Sequence, residues 1–110
     1  MAGDATSVFS VTTAGTNAGA TATQAAATGK IHIVRHISGH TDADSIIQVL
    51  GGAAGATVIF ETKIDVSLNG FGFAISIPDG IVGVPGVAVS GVIATSTADC
   101  QVNISGYSVP

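Results

Sequence analysis

Between Thr57 and Leu68 the chain alternates with a period of two. Val58, Phe60, Thr62, Ile64, Val66 and Leu68 fall on one face, and Thr57, Ile59, Glu61, Lys63, Asp65 and Ser67 on the other. Successive side chains of a strand point to opposite faces of a sheet, whereas an amphipathic helix repeats every ~3.6 residues, so this run specifies a half-buried antiparallel strand. Asn69-Gly70 follows, a pair suited to the positive φ angles of a two-residue turn, and Phe71, Phe73, Ile75 and Ile77 then alternate with Gly72, Ala74 and Ser76. The two runs together predict a β-hairpin turning at Asn69-Gly70.

The rest of the chain after Lys30 has the same texture. Pro78-Asp79-Gly80 and Pro85-Gly86 read as turns, because proline presets φ and glycine accepts the left-handed position. Strands are predicted over Ile31 to Ile37, Val87 to Thr95 and Cys100 to Val109, the last two joined by a polar turn at Thr97 to Asp99. Thr41 to Leu50 carries conflicting signals. Thr41 with Asp44 resembles a helix capping box closed by Gly51, but the β-branched Ile46, Ile47 and Val49 favour a strand. Several short strands at this spacing predict an all-β fold, a single antiparallel β-sandwich or jelly-roll-like barrel.

A length of 110 residues accommodates one domain. Residues 30–110 form the expected β-sandwich domain. Residues 1–29 are biased to Ala, Thr and Gly and read as an N-terminal arm or edge strand held by neighbours, with Val8, Phe9 and Val11 as its apolar anchors and candidate interface residues. Ala-Gly-Ala-Thr occurs at Ala18 to Thr21 and again at Ala54 to Thr57, but nothing else keeps that register, so a solenoid is not expected.

Charge constrains function more than hydrophobicity does. Hydrophobic residues make up an ordinary 46%, but Asp, Glu, Lys and Arg together make up 9%, against roughly 25% in a typical soluble domain. Gly, Ala, Ser and Thr fill the difference, and such a surface tolerates being covered by other subunits. The only cationic side chains are Lys30, Arg35 and Lys63, and the net charge is −4, so phosphate neutralisation has little to draw on and nucleic-acid binding is not expected. Every apolar run is interrupted well short of the ~18–20 residues of a membrane span. Met1 to Ser10 has neither a basic n-region nor an apolar h-region, and the single Cys100 fits folding in a reducing cytoplasm.

Residues capable of chemistry are few. His32, His36 and His40 recur every fourth position. On a helix they would align as a metal site. On the strand predicted here His32 and His36 share a face and His40 lies past a Gly39 turn near Asp42 and Asp44, a weak candidate metal set whose simpler role is to satisfy backbone or subunit contacts. Cys100 alternates with Val102 and Ile104 and reads as a small core residue rather than a nucleophile. Asp65 and Asp79 stand near turns without the converging partner that acid catalysis needs. Gly51 to Gly55 lacks the GK[ST] ending of a phosphate loop. Thr21-Ala22-Thr23 and Thr95-Ser96-Thr97 have the local spelling of ice-binding surfaces but no repeat to align them. No enzymatic activity and no cofactor are expected.

Gly29-Lys30-Ile31-His32, the long strand ending at Asp65, the Phe-rich hairpin and the closing Gln101-Val102-Asn103-Ile104-Ser105-Gly106-Tyr107 together resemble small all-β virion proteins of tailed bacteriophages, of the capsid decoration or cement type. The resemblance spans residues 29–110 and is one of overall texture. It implies a virion protein assembled in the bacterial host cytoplasm, a homo-oligomer favoured as a trimer at threefold positions, with the major capsid protein or other virion subunits as partners. Other head-neck or tail components are the nearest alternative. A glycan- or receptor-binding β-sandwich is the alternative of a different class, disfavoured because Phe9, Phe60, Phe71, Phe73 and Tyr107 fall mostly on predicted inward faces.

Overall fold

The computed structural model describes residues 7–16, 19–51, 57–65, 72–94 and 99–110. These carry eight strands: β1 (Ser7–Gly15), β2 (Ala20–Gln24), β3 (Ile31–Thr41), β4 (Ser45–Gly51), β5 (Thr57–Ile64), β6 (Gly72–Val82), β7 (Val89–Ile93) and β8 (Cys100–Val109). They form two four-stranded sheets, β1-β8-β3-β6 (sheet A) and β2-β7-β4-β5 (sheet B), with every pairing antiparallel. Because β1 lies on β8, β2 on β7, β3 on β6 and β4 on β5, the chain is one long hairpin rolled into a sandwich, the strand order of a jelly roll. The all-β sandwich read from the sequence is the fold observed.

The core lies between the sheets and is built from β-branched side chains on alternate positions. Sheet A contributes Val34, Ile37, Val102 and Ile104, and sheet B contributes Ile47, Val49, Val89 and Ile93, all fully buried. Each such side chain stabilises the fold by ~1.5–3 kcal/mol relative to exposure. β8 shows the pattern most plainly: Cys100, Val102, Ile104 and Ser108 are buried, while Gln101 on the alternate face is exposed.

Residues 7–15 and 20–24, within the Ala/Thr/Gly-rich segment, are edge strands of the two sheets, so they belong to the same sandwich as residues 30–110. Residues 1–6 lie outside the described residues.

Alternation identified the strands but not their partners. The Asn69-Gly70 turn, with Val66 and Leu68, lies outside the described residues. The strands flanking it are not a hairpin, since β5 pairs with β4 in sheet B and β6 with β3 in sheet A. A half-buried strand needs only a core beneath one face, and both edges of the sandwich supply one. Within β5 the expected face also changes. Val49 pairs with Phe60 and Leu50 with Val58, leaving Ile59 as a bulge that packs on the core while Val58 is 45% exposed.

Pro78-Asp79-Gly80 is likewise no chain reversal. It lies inside β6, where residues 77–80 bulge between the pairs Val34/Ile81 and His36/Ser76. Proline is tolerated there because β6 is an edge strand, and Gly80 takes a φ of 76°. Pro85-Gly86 does turn the chain, with Gly86 at φ 73° and the Val87 N–H donating to the Val84 carbonyl at 3.1 Å. The Thr41–Leu50 segment resolves as the end of β3, a tight turn and β4. In place of a helix cap, the Thr41 and Ser45 hydroxyls both donate to the Ala43 carbonyl, at 3.0 and 2.8 Å. Residues 52–56 and 95–98, which hold most of the Gly51–Gly55 run and of the polar turn expected at Thr97 to Asp99, lie outside the described residues.

Candidate functional site

The three histidines are separated by a change of parity in β3. On that strand His32, Val34, Ile37 and Thr41 are buried, so the inward step from Val34 to Ile37 spans three residues instead of two. The extra residue is Arg35: opposite β8, Val34 pairs with Gly106 and His36 with Ser105. The bulge turns His32 inward and leaves His36 and His40 exposed on the outer face, so His32 and His36 do not share a face. β3 runs on through Gly39 to Thr41, so Gly39 is a strand residue and not a turn. It has to be glycine because a Cβ there would collide with the Gln101 carbonyl of β8.

His32 is buried, and both its ring nitrogens are engaged. Nε2 donates to the Ala25 carbonyl at 2.8 Å, and Nδ1 accepts from the Ser108 hydroxyl at 2.6 Å. The tautomer follows from the partners, since a carbonyl only accepts. Phe9 meets the ring edge-on, with centroids 5.6 Å apart. His32 thus ties β3 to β8 and to the chain segment after β2. His36 Nδ1 lies 3.3 Å from the Ser76 hydroxyl on β6. Among the described residues no group of three or more His, Cys, Asp or Glu side chains is placed to hold a metal ion.

Arg35 sits in the bulge, where Nε donates to the Ile77 carbonyl at 3.2 Å and the guanidinium lies 6.0 Å from the centre of the Tyr107 ring. It fills the gap opened by residues 77–80 of β6. The Cys100 thiol is buried, and loss of hydration pushes its pKa above the ordinary 9.0, with the negative charges of Asp99 and Asp42 adding to the rise. A thiol kept protonated is a poor nucleophile.

What the structure does assemble is surface. Across the outer face of sheet A run three rows of side chains: Ser10, Ser105, His36 and Ser76; Thr12, Asn103, Ser38 and Ala74; Ala14, Gln101, His40 and Gly72. None of these positions carries an Asp, Glu, Lys or Arg. Asn103 orders the β1 end of this face by donating to Ser10 Oγ at 2.9 Å and Thr12 Oγ1 at 2.8 Å. Two shallow hollows of about 290 and 320 Å³ lie on it and share His36, the larger being lined also by Val8, Arg35, Ser105 and Tyr107.

The outer face of sheet B is more apolar. Thr23, Ser90, Leu50 and Val58 form one row, Thr21, Val92, Gln48 and Glu61 the next, and Ile46 stands beside Lys63. Ile46 and Val58 are 38% and 45% exposed, and among the described residues the charges on this face are Glu61 and Lys63 of β5.

Of the interface candidates on β1, only Val8 points outward, at 86% exposure, while Phe9 and Val11 turn inward and pack half-buried against the core. The parity shift at Arg35 had one trace in the sequence: an arginine inside an apolar β-branched run, opposite nothing that alternation alone could identify. Comparison with protein-family models, with curated proteins and with solved structures finds no match for the chain.

Proposed function

We propose that the chain is a non-enzymatic structural subunit of a larger assembly, a homo-oligomer that acts as a decoration or cement protein on the head of a tailed-bacteriophage particle. The observation that carries this reading is the outer face of sheet A, whose three rows from β1 to β6 hold no Asp, Glu, Lys or Arg. With it go the exposed aliphatic Ile46 and Val58 on the outer face of sheet B, where Glu61 and Lys63 sit on the edge strand. A sandwich that lives alone in water keeps charged side chains on its outer faces, whereas faces of Ser, Thr, Asn, Gln and aliphatic residues suit permanent interfaces. Reinforcement of a shell needs no catalytic group. It needs many copies, each burying surface against the major capsid protein and against its neighbours. The virion setting rests on the textural resemblance of residues 29–110.

The test is addition of the purified protein to undecorated phage capsids, with stoichiometric attachment read by electron microscopy and shell survival read by heating. Saturable attachment that raises the temperature of capsid rupture is the expected result. A protein present free in infected cells and absent from purified particles would refute the virion reading.

One observation favours a second reading, a glycan-binding module. The larger hollow on sheet A sets an arginine, a tyrosine ring and the Ser105 hydroxyl side by side, groups that recognise sugars. Binding on a glycan array without attachment to capsids would select it.

A further inference from the structure

Among the described residues the two sheets have four edges, and three are blunted by devices that prevent strand addition. β6 carries Pro78, Asp79 and the bulge over residues 77–80. β5 carries Glu61, Lys63 and the bulge at Ile59. β2 is only five residues long. β1 has none of these: its nine residues, Ser7–Gly15, pair with β8 in an unbroken register, without a proline or a charged residue. Its far side presents the backbone N–H and C=O groups of alternate residues.

We infer that β1 is a homodimerisation edge, on which β1 of a second copy adds antiparallel about a two-fold axis near Val11. This stands on the edge itself and goes beyond the virion reading. A second copy fits for two reasons. First, a two-fold axis at Val11 sets each residue opposite one of the same parity. Phe9 faces the partner copy's Thr13, and Val11 faces its own counterpart, all on the core side. On the outer side Ser10 faces Thr12. Second, Phe9 and Val11 are only half-buried although they pack on the core, and the added strand would complete their cover. Asn103 already holds the Ser10 and Thr12 hydroxyls in place, so the strand is ordered before it pairs. The product is a continuous eight-stranded sheet, β6-β3-β8-β1 running into its symmetry copy. The pairing is two-fold and takes the place of the threefold grouping that the virion resemblance implies.

Sedimentation velocity over a range of concentrations, with amide hydrogen exchange on the same samples, tests this on the intact chain. A dimer is expected, with the amides of residues 7–15 gaining protection as it forms and those of β6 unchanged. S10K/T12K places lysines opposite each other across the axis and is expected to weaken dimerisation about tenfold or more. S10K/T12D places opposite charges there and is expected to hold it near the wild-type level. Circular dichroism and thermal melting report whether each variant folds. A monomer, an assembly with an odd number of copies, a dimer whose β1 amides gain no protection, or equal weakening in both variants would overturn the pairing. A dimer that fails to attach to capsids leaves it standing and refutes only the proposed function. A monomer that does attach refutes only the pairing.

Discussion

His32→Phe removes the polar part of a buried aromatic site. Phenylalanine keeps an aromatic ring in edge contact with Phe9, but its six-membered ring is bulkier than imidazole by more than a methylene. Overpacking therefore adds to the cost of the lost bonds, and the double-mutant cycle with Ser108→Ala separates the two. What disappears are the bonds from Nε2 to the Ala25 carbonyl at 2.8 Å and from the Ser108 hydroxyl to Nδ1 at 2.6 Å. Ala25 is exposed, and water replaces the ring at its carbonyl at little cost. Ser108 is only 5% exposed, so its hydroxyl becomes an orphan worth ~1–3 kcal/mol. With the lost bonds, the expected destabilisation is about 2–3 kcal/mol, a large share of the ~5–15 kcal/mol that holds a small domain folded. Urea unfolding followed by circular dichroism measures it, and the midpoint of thermal unfolding should fall by roughly 10 °C. The decisive arm is the double-mutant cycle with Ser108→Ala. Removing the orphan hydroxyl should recover about 1 kcal/mol in the His32→Phe background, although Ser108→Ala alone destabilises. A loss below about 0.5 kcal/mol, or strict additivity of the two substitutions, would refute the account of His32 as a hydrogen-bonded tie between β3 and β8.

Gly91 of β7 faces Ile104 across the core, and an added Cβ would overlap that side chain. Gly91→Ala should therefore cost ~1–3 kcal/mol in urea unfolding, and Ile104→Ala combined with it should cost less than the sum of the two. Arg35→Ala removes the bond to the Ile77 carbonyl and the contact with Tyr107. It should cost about 1 kcal/mol and speed amide exchange over residues 77–82 more than over β8. The Cys100 thiol should resist a water-soluble disulfide reagent in the native protein and react fully in denaturant. Its raised pKa also sets a pH dependence. Above its ordinary 9.0 the unfolded thiol ionises while the folded one keeps its proton, so stability is full below that pH and declines above it, and Cys100→Ser should remove this part of the decline.

The strands of this fold were legible because burial on one face imposes a period of two, and β8 matches its predicted limits, Cys100 to Val109, residue for residue. Pairing was not legible, because alternation reports a core beneath a strand and says nothing of the neighbour beside it. That is how β5 and β6, consecutive in the chain, came to read as a hairpin while lying in different sheets. Facing was legible only as far as the first bulge. A single inserted residue reverses every side chain beyond it. Ile59 did so for Val58, and Arg35 did so for the histidines. Of the candidate surfaces, the charge deficit was visible in composition, but its concentration on the outer face of sheet A depended on cross-strand register. The proline-glycine signals divided by context: Pro85-Gly86 turns the chain, whereas Pro78-Asp79-Gly80, on an edge with a partner on one side only, bulges it.

A sheet edge and a sheet face make different contributions to an assembly. Edge pairing satisfies backbone groups in one direction and one register, so it fixes orientation but adds little area. A flat face of small uncharged side chains supplies area yet imposes almost no register, because Ser, Thr and Ala offer few features to lock against. In the assembly proposed here, β1 would therefore set how copies meet and the outer faces how much surface they share. The two roles separate experimentally. Ser38→Lys with Ala74→Glu puts a charge pair on the outer face of sheet A, on β3 and β6, with β8 between them and β1. Folding stability should change by no more than about 0.5 kcal/mol, and dimerisation should persist, while attachment to capsids should fall. Unchanged attachment would remove this face from the assembly and leave the apolar outer face of sheet B, with Ile46, Leu50, Val58 and Val92, as the surface that binds the shell.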